Sequence, residues 1–237
     1  MCRFFSFCSD EGKPLFFNAE QRKKILENIG EFENLNYSPD SHTSIAHYYG
    51  YLRKKEDLLG KYEYNPLIEQ FTVDYVGKID NSKEMERWVK NLDFKSIIPE
   101  LIVKPIVNPF TIEPIKIRKE QIKLLKQWAS IWASIWDSIW KSIRDSVGAS
   151  VRDSVWDSIR ASIWDSAKDS VKASIWDSVW DSVWASVGAY CSSFFNIKFD
   201  YDFSSVIKLW EQGLVPCTDG EFWYLISKNG IEWKGKI

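Results

Sequence analysis

Residues 128–188 read WASIWASIWDSIWKSIRDSVGASVRDSVWDSIRASIWDSAKDSVKASIWDSVWDSVWASVG, a four-residue unit repeated fifteen times in succession. The first position of each repeat unit holds Trp, Arg, Lys or Gly, and the second holds Ala or Asp, with Lys141 as an exception. The third position is always Ser, and the fourth is Ile or Val except at Ala167. A regular repeat of this kind implies one recurring local structure, so it decides the architecture of the chain.

The four-residue period favours an amphipathic helix. Each helical residue turns by about 100°, which places the Trp-type and Ile/Val positions side by side and the Asp/Ala and Ser positions opposite them. On a strand, Trp would share a face with Ser, and neither face would be apolar. Opposite charges also occur three residues apart, as at Asp157 and Arg160, a spacing that brings them together on a helix.

A straight helix with this period has a difficulty. Four residues turn by about 400°, so the apolar stripe advances by about 40° with each repeat unit. The helix must therefore supercoil, break into shorter rods, or leave Trp exposed in places. The alternative is a β-solenoid resembling pentapeptide-repeat proteins, which is disfavoured because Asp would fill half of its inward-facing positions.

The substitutions within the tract are also informative. Trp, Arg and Gly codons differ by one base, as do the codons of Asp and Ala, so the tract resembles an expanded and diverged twelve-base DNA repeat. Exchange of Trp for Arg, Lys or Gly predicts a position that is not uniformly buried. Because Trp is concentrated at the two ends of the tract, a helical hairpin that joins these ends is one possible geometry. Gly148 is the residue of the tract with the lowest helix propensity, apart from Gly188 at its end.

The segments around the tract predict an α+β protein. Residues 1–110 are expected to form a small α+β domain, with hairpins around residues 9–12 and 65–66 and a helix capped by Asn18. Residues 111–127 are a basic helical approach to the repeat at 128–188. Residues 189–237 are expected to form a C-terminal β-rich module with a short helix and a hairpin at Asn229-Gly230, preceded by a strand over FNIKFDYDF.

Composition excludes several classes of protein. The chain has 237 residues, of which 45% are apolar and 27% charged, and its net charge of −2 gives no strong nucleic-acid signal. There is no apolar run of eighteen residues, and the start MCRFFSFCSD lacks the long apolar region of a signal peptide. Membrane-surface contact is disfavoured because Asp recurs along the tract. These features predict a soluble, cytoplasmic protein.

No familiar catalytic motif is present in the chain. A P-loop, GxGxxG, GxSxG and HExxH are all missing, so we favour a protein that is not an enzyme and expect no cofactor. A cleft in the N-terminal domain is the place where chemistry could occur, and its candidate residues are Asp40, His42, His47, Tyr62 and Glu63. Zinc would suit the residue types of another set, although its spacing matches no finger motif and no metal site is predicted: Cys2, Cys8, His42 and His47.

The apolar stripe of the repeat is the main candidate for an interaction surface. Packing within the chain or self-association is the first interpretation, and binding of a protein partner is the second. Of the thirteen Trp residues in the chain, nine lie in the tract. The candidate binding residues are those at its two ends, Trp128, Trp132, Trp136, Trp140, Trp176, Trp180 and Trp184.

Much of the chain resembles an uncharacterised family of bacteriophage and gut-bacterial proteins with W-[AD]-S-[IV] repeats. The segments that carry the resemblance are MCRFFSF, YSPDSHTSIAHYYG, EDLLGKYEYNP, LDFKSIIPELIVKPIVNPF, the repeat itself and SSFFNIKFDYDF with IKLWEQGLVPCTDGEFW. This resemblance implies a phage or prophage context and a repeat number that varies between relatives. The function expected is therefore a non-enzymatic structural or protein-interaction role, and the alternative is an enzyme or host-defence inhibitor carried by the N-terminal domain.

Overall fold

The structure is a computed structural model that describes residues 4–132, 136–170 and 173–237, with all their side chains except those at 53–54, 136–138, 140 and 173–177. Within these ranges the chain forms eight α-helices and two antiparallel sheets, which confirms the predicted α+β class. It divides into two compact subdomains. The first comprises Met1–Lys104 and Ile143–Val155, and the second comprises Pro105–Ser142 and Trp156–Ile237. The subdomains thus share the repeat tract between them, whereas the sequence boundaries at 110, 127 and 188 set it apart.

The first subdomain contains a sheet of four antiparallel strands in the order β2-β1-β3-β4. Its strands are β1 (Phe5–Asp10), β2 (Lys13–Leu15), β3 (Gly60–Asn65) and β4 (Gln70–Tyr75). The sequence predicts both hairpins at these places. Because β4 lies at the end of the sheet, its side chains are largely exposed, whereas those of β1 are buried.

Three helices accompany this sheet, namely α1 (Ala19–Glu27), α2 (His42–Tyr48) and α3 (Ser82–Lys90). The predicted cap is present, because the Asn18 side chain accepts a hydrogen bond from the backbone N–H of Gln21 at 3.0 Å. Buried residues of α2 join Cys8 of β1 in an apolar cluster on one side of the sheet. Aromatic rings pack on the other side, where Phe7 and Trp88 have centroids 5.0 Å apart.

The second subdomain contains a three-stranded antiparallel sheet in the order β5-β6-β7. The strands are β5 (Val215–Thr218), β6 (Trp223–Ser227) and β7 (Gly230–Gly235), and the flanking helices are α4 (Lys119–Ala129) and α8 (Ser204–Glu211). Leucines from α4, α8 and β6 meet in one apolar cluster, which includes Leu125, Leu209 and Leu225. The predicted short helix and the Asn229-Gly230 hairpin are both present.

The predicted strand over FNIKFDYDF is wrong. Residues 196–203 belong to no strand, although burial does alternate along them. Phe195 and Phe203 are buried in the core, and Asp202 instead accepts a hydrogen bond from the backbone N–H of Ser204 at the start of α8. The alternation therefore comes from aromatic side chains that anchor an irregular segment, in which Phe195 alone forms an isolated bridge.

The repeat tract forms helices over most of its described length, namely α5 (Trp136–Val147), α6 (Ala149–Ser170) and α7 (Ala173–Ser192). It forms no closed solenoid there, and it is not one rod. Gly148 separates α5 from α6 with a φ of +89°, a left-handed conformation that glycine adopts readily. Among the described residues, no helix combines the length and apolar character needed to cross a lipid bilayer.

The fourth position of the repeat is the buried one. Every described Ile, Val or Ala side chain at this position from Ile139 to Val187 is at most 3% exposed. The Trp position behaves differently, since Trp164 is 39% exposed while the neighbouring Ile163 is 1% exposed. The expectation that Trp would not be uniformly buried is therefore confirmed.

Helices α6 and α7 run antiparallel. Trp164 of α6 and Trp184 of α7 have ring centroids 5.7 Å apart, whereas one continuous helix would separate them by about 30 Å. Trp156 contacts Trp184, and Trp164 also contacts Trp180, so later positions of α6 meet earlier positions of α7. The chain therefore reverses direction between Trp164 and Trp180. A hairpin within the tract is thus present, and it joins its middle to its C-terminal end.

The invariant Ser of the repeat supplies hydrogen bonds to other segments. In the second subdomain, Ser182 accepts the backbone N–H of Thr218 at 2.8 Å, and Ser186 donates to the carbonyl oxygen of Pro216 at 2.7 Å. One repeat unit rises by about 6 Å on a helix, and two strand residues span about 6.8 Å. Because these spacings match, successive serines of α7 bind alternate residues along the outer edge of β5.

Burial at the fourth repeat position can be tested by charge insertion. Ile159→Asp places a carboxylate at a site with no exposure, so we expect a loss of about 4 kcal/mol in the free energy of unfolding. Ala161→Asp is the matched control, because residue 161 is exposed on the same helix and Asp is common at that repeat position. Urea denaturation followed by circular dichroism measures both variants. Equal stability of the two would contradict the assigned burial.

Candidate functional site

A concave surface in the second subdomain is lined by tryptophan. Its volume is about 630 Å³, within the range of pockets that bind small molecules or side chains. The rings come from the end of the segment after α4, from α6 and from α7. The described lining residues are Trp132, Trp156, Arg160, Trp164, Trp180, Asp181, Trp184 and Ala185.

The rings of this Trp pocket support one another. Trp180 and Trp184, one turn apart on α7, have centroids 4.9 Å apart in an edge-to-face arrangement. Trp164 from α6 stacks against Trp184 and lies edge-on to Trp180. Such aromatic pairs contribute about 0.5–1.5 kcal/mol each beyond the area that they bury. The pocket wall is therefore held in place by contacts among its own rings.

The charge around the Trp pocket is negative. Arg160 forms an ion pair with Asp157, with 3.5 Å between their side chains. An adjoining depression shares Arg160 and Trp164 and adds Asp157 and Asp165 to its lining. With Asp181, the two depressions have three carboxylates and one guanidinium among their described lining residues. The surroundings thus attract a cation.

The structure places only some of the Trp residues predicted to bind a partner at the Trp pocket. Trp132, Trp180 and Trp184 line the pocket, as a binding role requires. Trp128 does not, because it is completely buried in the second subdomain. The side chains of the remaining three predicted residues lie outside the described set: Trp136, Trp140 and Trp176. Sequence analysis missed Trp156 and Trp164, since only the reversal of the chain brings the middle of the tract to its end.

A second site lies in the first subdomain, where three elements bring polar side chains together. His42 begins α2, while Glu63 and Asp74 lie on the adjacent strands β3 and β4. Each offers one donor atom, and these three atoms lie within 4.8 Å of one another. His42 Nδ1 is 3.7 Å from Asp74 Oδ2, and His42 Nε2 is 2.9 Å from the carbonyl oxygen of Tyr62. Among the described residues, this cluster has the composition to hold a metal ion.

Three of the five predicted cleft residues contribute to this cluster. His42 and Glu63 supply side chains, and Tyr62 supplies its backbone carbonyl. The Tyr62 ring is buried, and this burial raises the pKa of its hydroxyl. Asp74 was missed, because its place beside Glu63 depends on the register of β3 and β4, which shifts between Lys61 and Tyr62.

Asp40 and His47 have other roles. Asp40 is buried and forms a bidentate ion pair with Arg22 of α1, with N–O distances of 2.8 and 2.9 Å. His47 lies on the exposed side of α2, where its ring nitrogen interacts with the Tyr37 hydroxyl. Neither residue is part of the cluster. Five residues turn a helix by about 500°, so the exposed His47 lies on a different side of α2 from the buried His42.

The alternative zinc set is not assembled by the described residues. Cys8 directs its thiol toward the carbonyl oxygen of His42 at 3.8 Å, and His47 is exposed. Cys2 lies outside the described residues. Cys191 and Cys217 are buried in the second subdomain, and this burial raises the pKa of each thiol.

Comparison with known proteins gives no assignment. No protein-family model, curated protein or solved structure matches this chain. The geometry of the Trp pocket and of the histidine–carboxylate cluster is therefore what indicates function.

The buried ion pair between Asp40 and Arg22 leads to a stability prediction. Asp40→Asn leaves the Arg22 guanidinium buried without its counter-charge, so we expect the free energy of unfolding to fall by about 3–5 kcal/mol. The double variant Arg22→Met with Asp40→Leu should recover most of this loss, since no uncompensated charge remains. Glu20→Gln, which breaks an exposed pair with Lys24, is the control and should leave the urea midpoint unchanged. A midpoint for Asp40→Asn equal to that of the control would show that the pair has no structural role.

Proposed function

We propose that this is a non-enzymatic protein-interaction protein, and that its Trp pocket receives a cationic side chain of a partner protein. The observation that carries the proposal is the convergence of five Trp rings around one open pocket of about 630 Å³. Three of these rings belong to the repeat positions expected to bind a partner. The repeat tract is in this view a helical scaffold whose fourth position packs the core and whose first position forms the binding surface.

The difference in burial between the first and fourth repeat positions supports a binding role. Ile159 and Val183 are completely or almost completely buried, whereas the Trp residues on the same helices remain partly exposed. Clustered exposed apolar surface is costly in water and is typical of interaction sites. Trp is also the residue most enriched among those that dominate binding energy at interfaces. The Trp residues are therefore better explained by a partner than by packing alone.

The chemistry of the Trp pocket favours a lysine or arginine side chain. The faces of indole rings attract cations, and such contacts contribute about 0.5–2 kcal/mol. Asp181 adds a carboxylate that has no ion-pair partner among the described residues. A lysine side chain also has an apolar stem that can cover the rings while its ammonium group reaches the acidic rim. An anionic group would meet three carboxylates and is disfavoured.

The wider biological setting stays a prediction. A phage or prophage context, self-association through the repeat, and an enzyme or host-defence inhibitor carried by residues 1–110 are all expectations from the sequence. The proposed pocket is compatible with any host-cell partner that presents a basic side chain.

Binding by the Trp pocket can be tested with a pair of small probes. N-acetyl-lysine methylamide should bind about tenfold more tightly than its norleucine analogue, because only the former has a charge to place against the rings. Titration of the ¹⁵N-labelled protein, followed through the indole N–H resonances, measures both affinities. The shifted resonances should include that of Trp164, which is the most exposed ring of the pocket.

Variants of the same chain show where the probe binds. Trp164→Ala should abolish the preference for lysine, and Asp181→Asn should weaken lysine binding several-fold. Asp169→Asn is the matched control, since it removes an exposed carboxylate of α6 that does not line the pocket. Equal binding of the two probes, or full binding by folded Trp164→Ala, would refute the proposal.

A further inference from the structure

We infer that His42, Glu63 and Asp74 form a binding site for one divalent transition-metal ion, with Zn²⁺, Mn²⁺ and Fe²⁺ as the fitting class. The site is independent of the proposed Trp pocket, because it lies in the first subdomain on α2, β3 and β4. It is formed by one imidazole and two carboxylates whose donor atoms lie within 4.8 Å of one another.

The orientation of His42 suits a metal ligand. A carbonyl oxygen accepts hydrogen bonds only, so the 2.9 Å contact with Tyr62 places the proton on Nε2. In the neutral ring, the lone pair then lies on Nδ1, which is the nitrogen near Asp74. Metal-binding histidines are commonly fixed in this way by a backbone carbonyl on the far side of the ring. The ring is thus held in the tautomer that can coordinate a cation.

The distances are compatible with a single ion. His42 Nδ1 and Asp74 Oδ2 are 3.7 Å apart. A metal ion about 2.1 Å from each of these atoms would have a ligand–metal–ligand angle of about 120°. Two ligand atoms on opposite sides of such an ion would be about 4.2 Å apart. Because no two of the three ligand atoms are more than 4.8 Å apart, the side chains would have to move closer by about 0.6 Å at most. The Asp74 side chain is 38% exposed and lies on an edge strand, which allows this adjustment.

The electrostatics also favour a cation. Glu63 is 4% exposed, and a buried carboxylate close to a second carboxylate is stabilised when a positive ion lies between them. The mixture of nitrogen and oxygen donors suits first-row divalent ions better than copper(I), which prefers sulfur, or calcium, which prefers oxygen alone. The partial exposure of Asp74 gives the ion a route from solvent and leaves room for a water ligand.

Titration of the tag-free, EDTA-treated full chain with ZnCl₂ tests the site by calorimetry. The wild type should bind one equivalent, and Asp74→Asn should weaken binding by about 100-fold, because a neutral amide is a poor ligand. Asp74→Asn is expected to fold, since its side chain is partly exposed. Glu69→Gln is the matched control: it removes an exposed carboxylate from the turn of the same β3–β4 hairpin and should leave the affinity unchanged.

Two further measurements exclude other sites. His47→Ala removes the second histidine of the chain and should retain full affinity, whereas a loss of binding in this variant would assign the ion to the exposed side of α2. Co²⁺ bound to the wild type should show no thiolate charge-transfer absorption, because Cys8 is not a ligand in this arrangement. Absence of stoichiometric binding, equal affinities of wild type and Asp74→Asn, or a thiolate spectrum would overturn the inference.

Discussion

The mismatch between a four-residue period and the 3.6-residue turn of the α-helix governs this structure. Every repeat unit carries the Ile/Val position about 40° further around the helix axis, yet every described side chain at that position from Ile139 to Val187 is buried. One straight helix could satisfy this only if its partners wound around it. The chain instead divides the tract into several helices, each of which has its own apolar neighbours. Gly148 supplies one of the interruptions, and the reversal between Trp164 and Trp180 supplies another.

The same mismatch determines where the tryptophans lie. Once the Ile/Val position takes the core, the adjacent Trp position lies at the margin of the buried face and cannot be buried in every repeat unit. Exchange of Trp for Arg160 or Lys168 along the tract is tolerable for this reason, since those positions are exposed. Where α6 and α7 run side by side, the marginal rings of both helices face the same space. The Trp pocket is thus a geometric result of packing a four-residue repeat antiparallel to itself.

Local signals could be predicted from the sequence, and long-range ones could not. Asn18 before α1 and Asn229-Gly230 before β7 specify their elements through hydrogen bonds and turn geometry within a few residues. Alternation in FNIKFDYDF misled because burial of aromatic anchors produces the same pattern as a strand. His42 and Glu63 were found by residue type, but Asp74 joins them only through strand register. Trp164 likewise joins the pocket only through the chain reversal, which no local pattern encodes.

The hydrogen bonds between α7 and β5 have an evolutionary consequence. Ser182 and Ser186 meet alternate residues of the strand edge, and every repeat unit offers another serine at the same helical spacing. Slippage during replication of a twelve-base gene repeat adds or removes whole repeat units. The helix is then shifted along β5 by one unit, and it presents an identical pair of serine hydroxyls to the strand. A frame-preserving insertion of one codon would instead direct a carboxylate or an aliphatic group at the open strand edge. The tract can therefore change length through its gene while these hydrogen bonds to β5 reform.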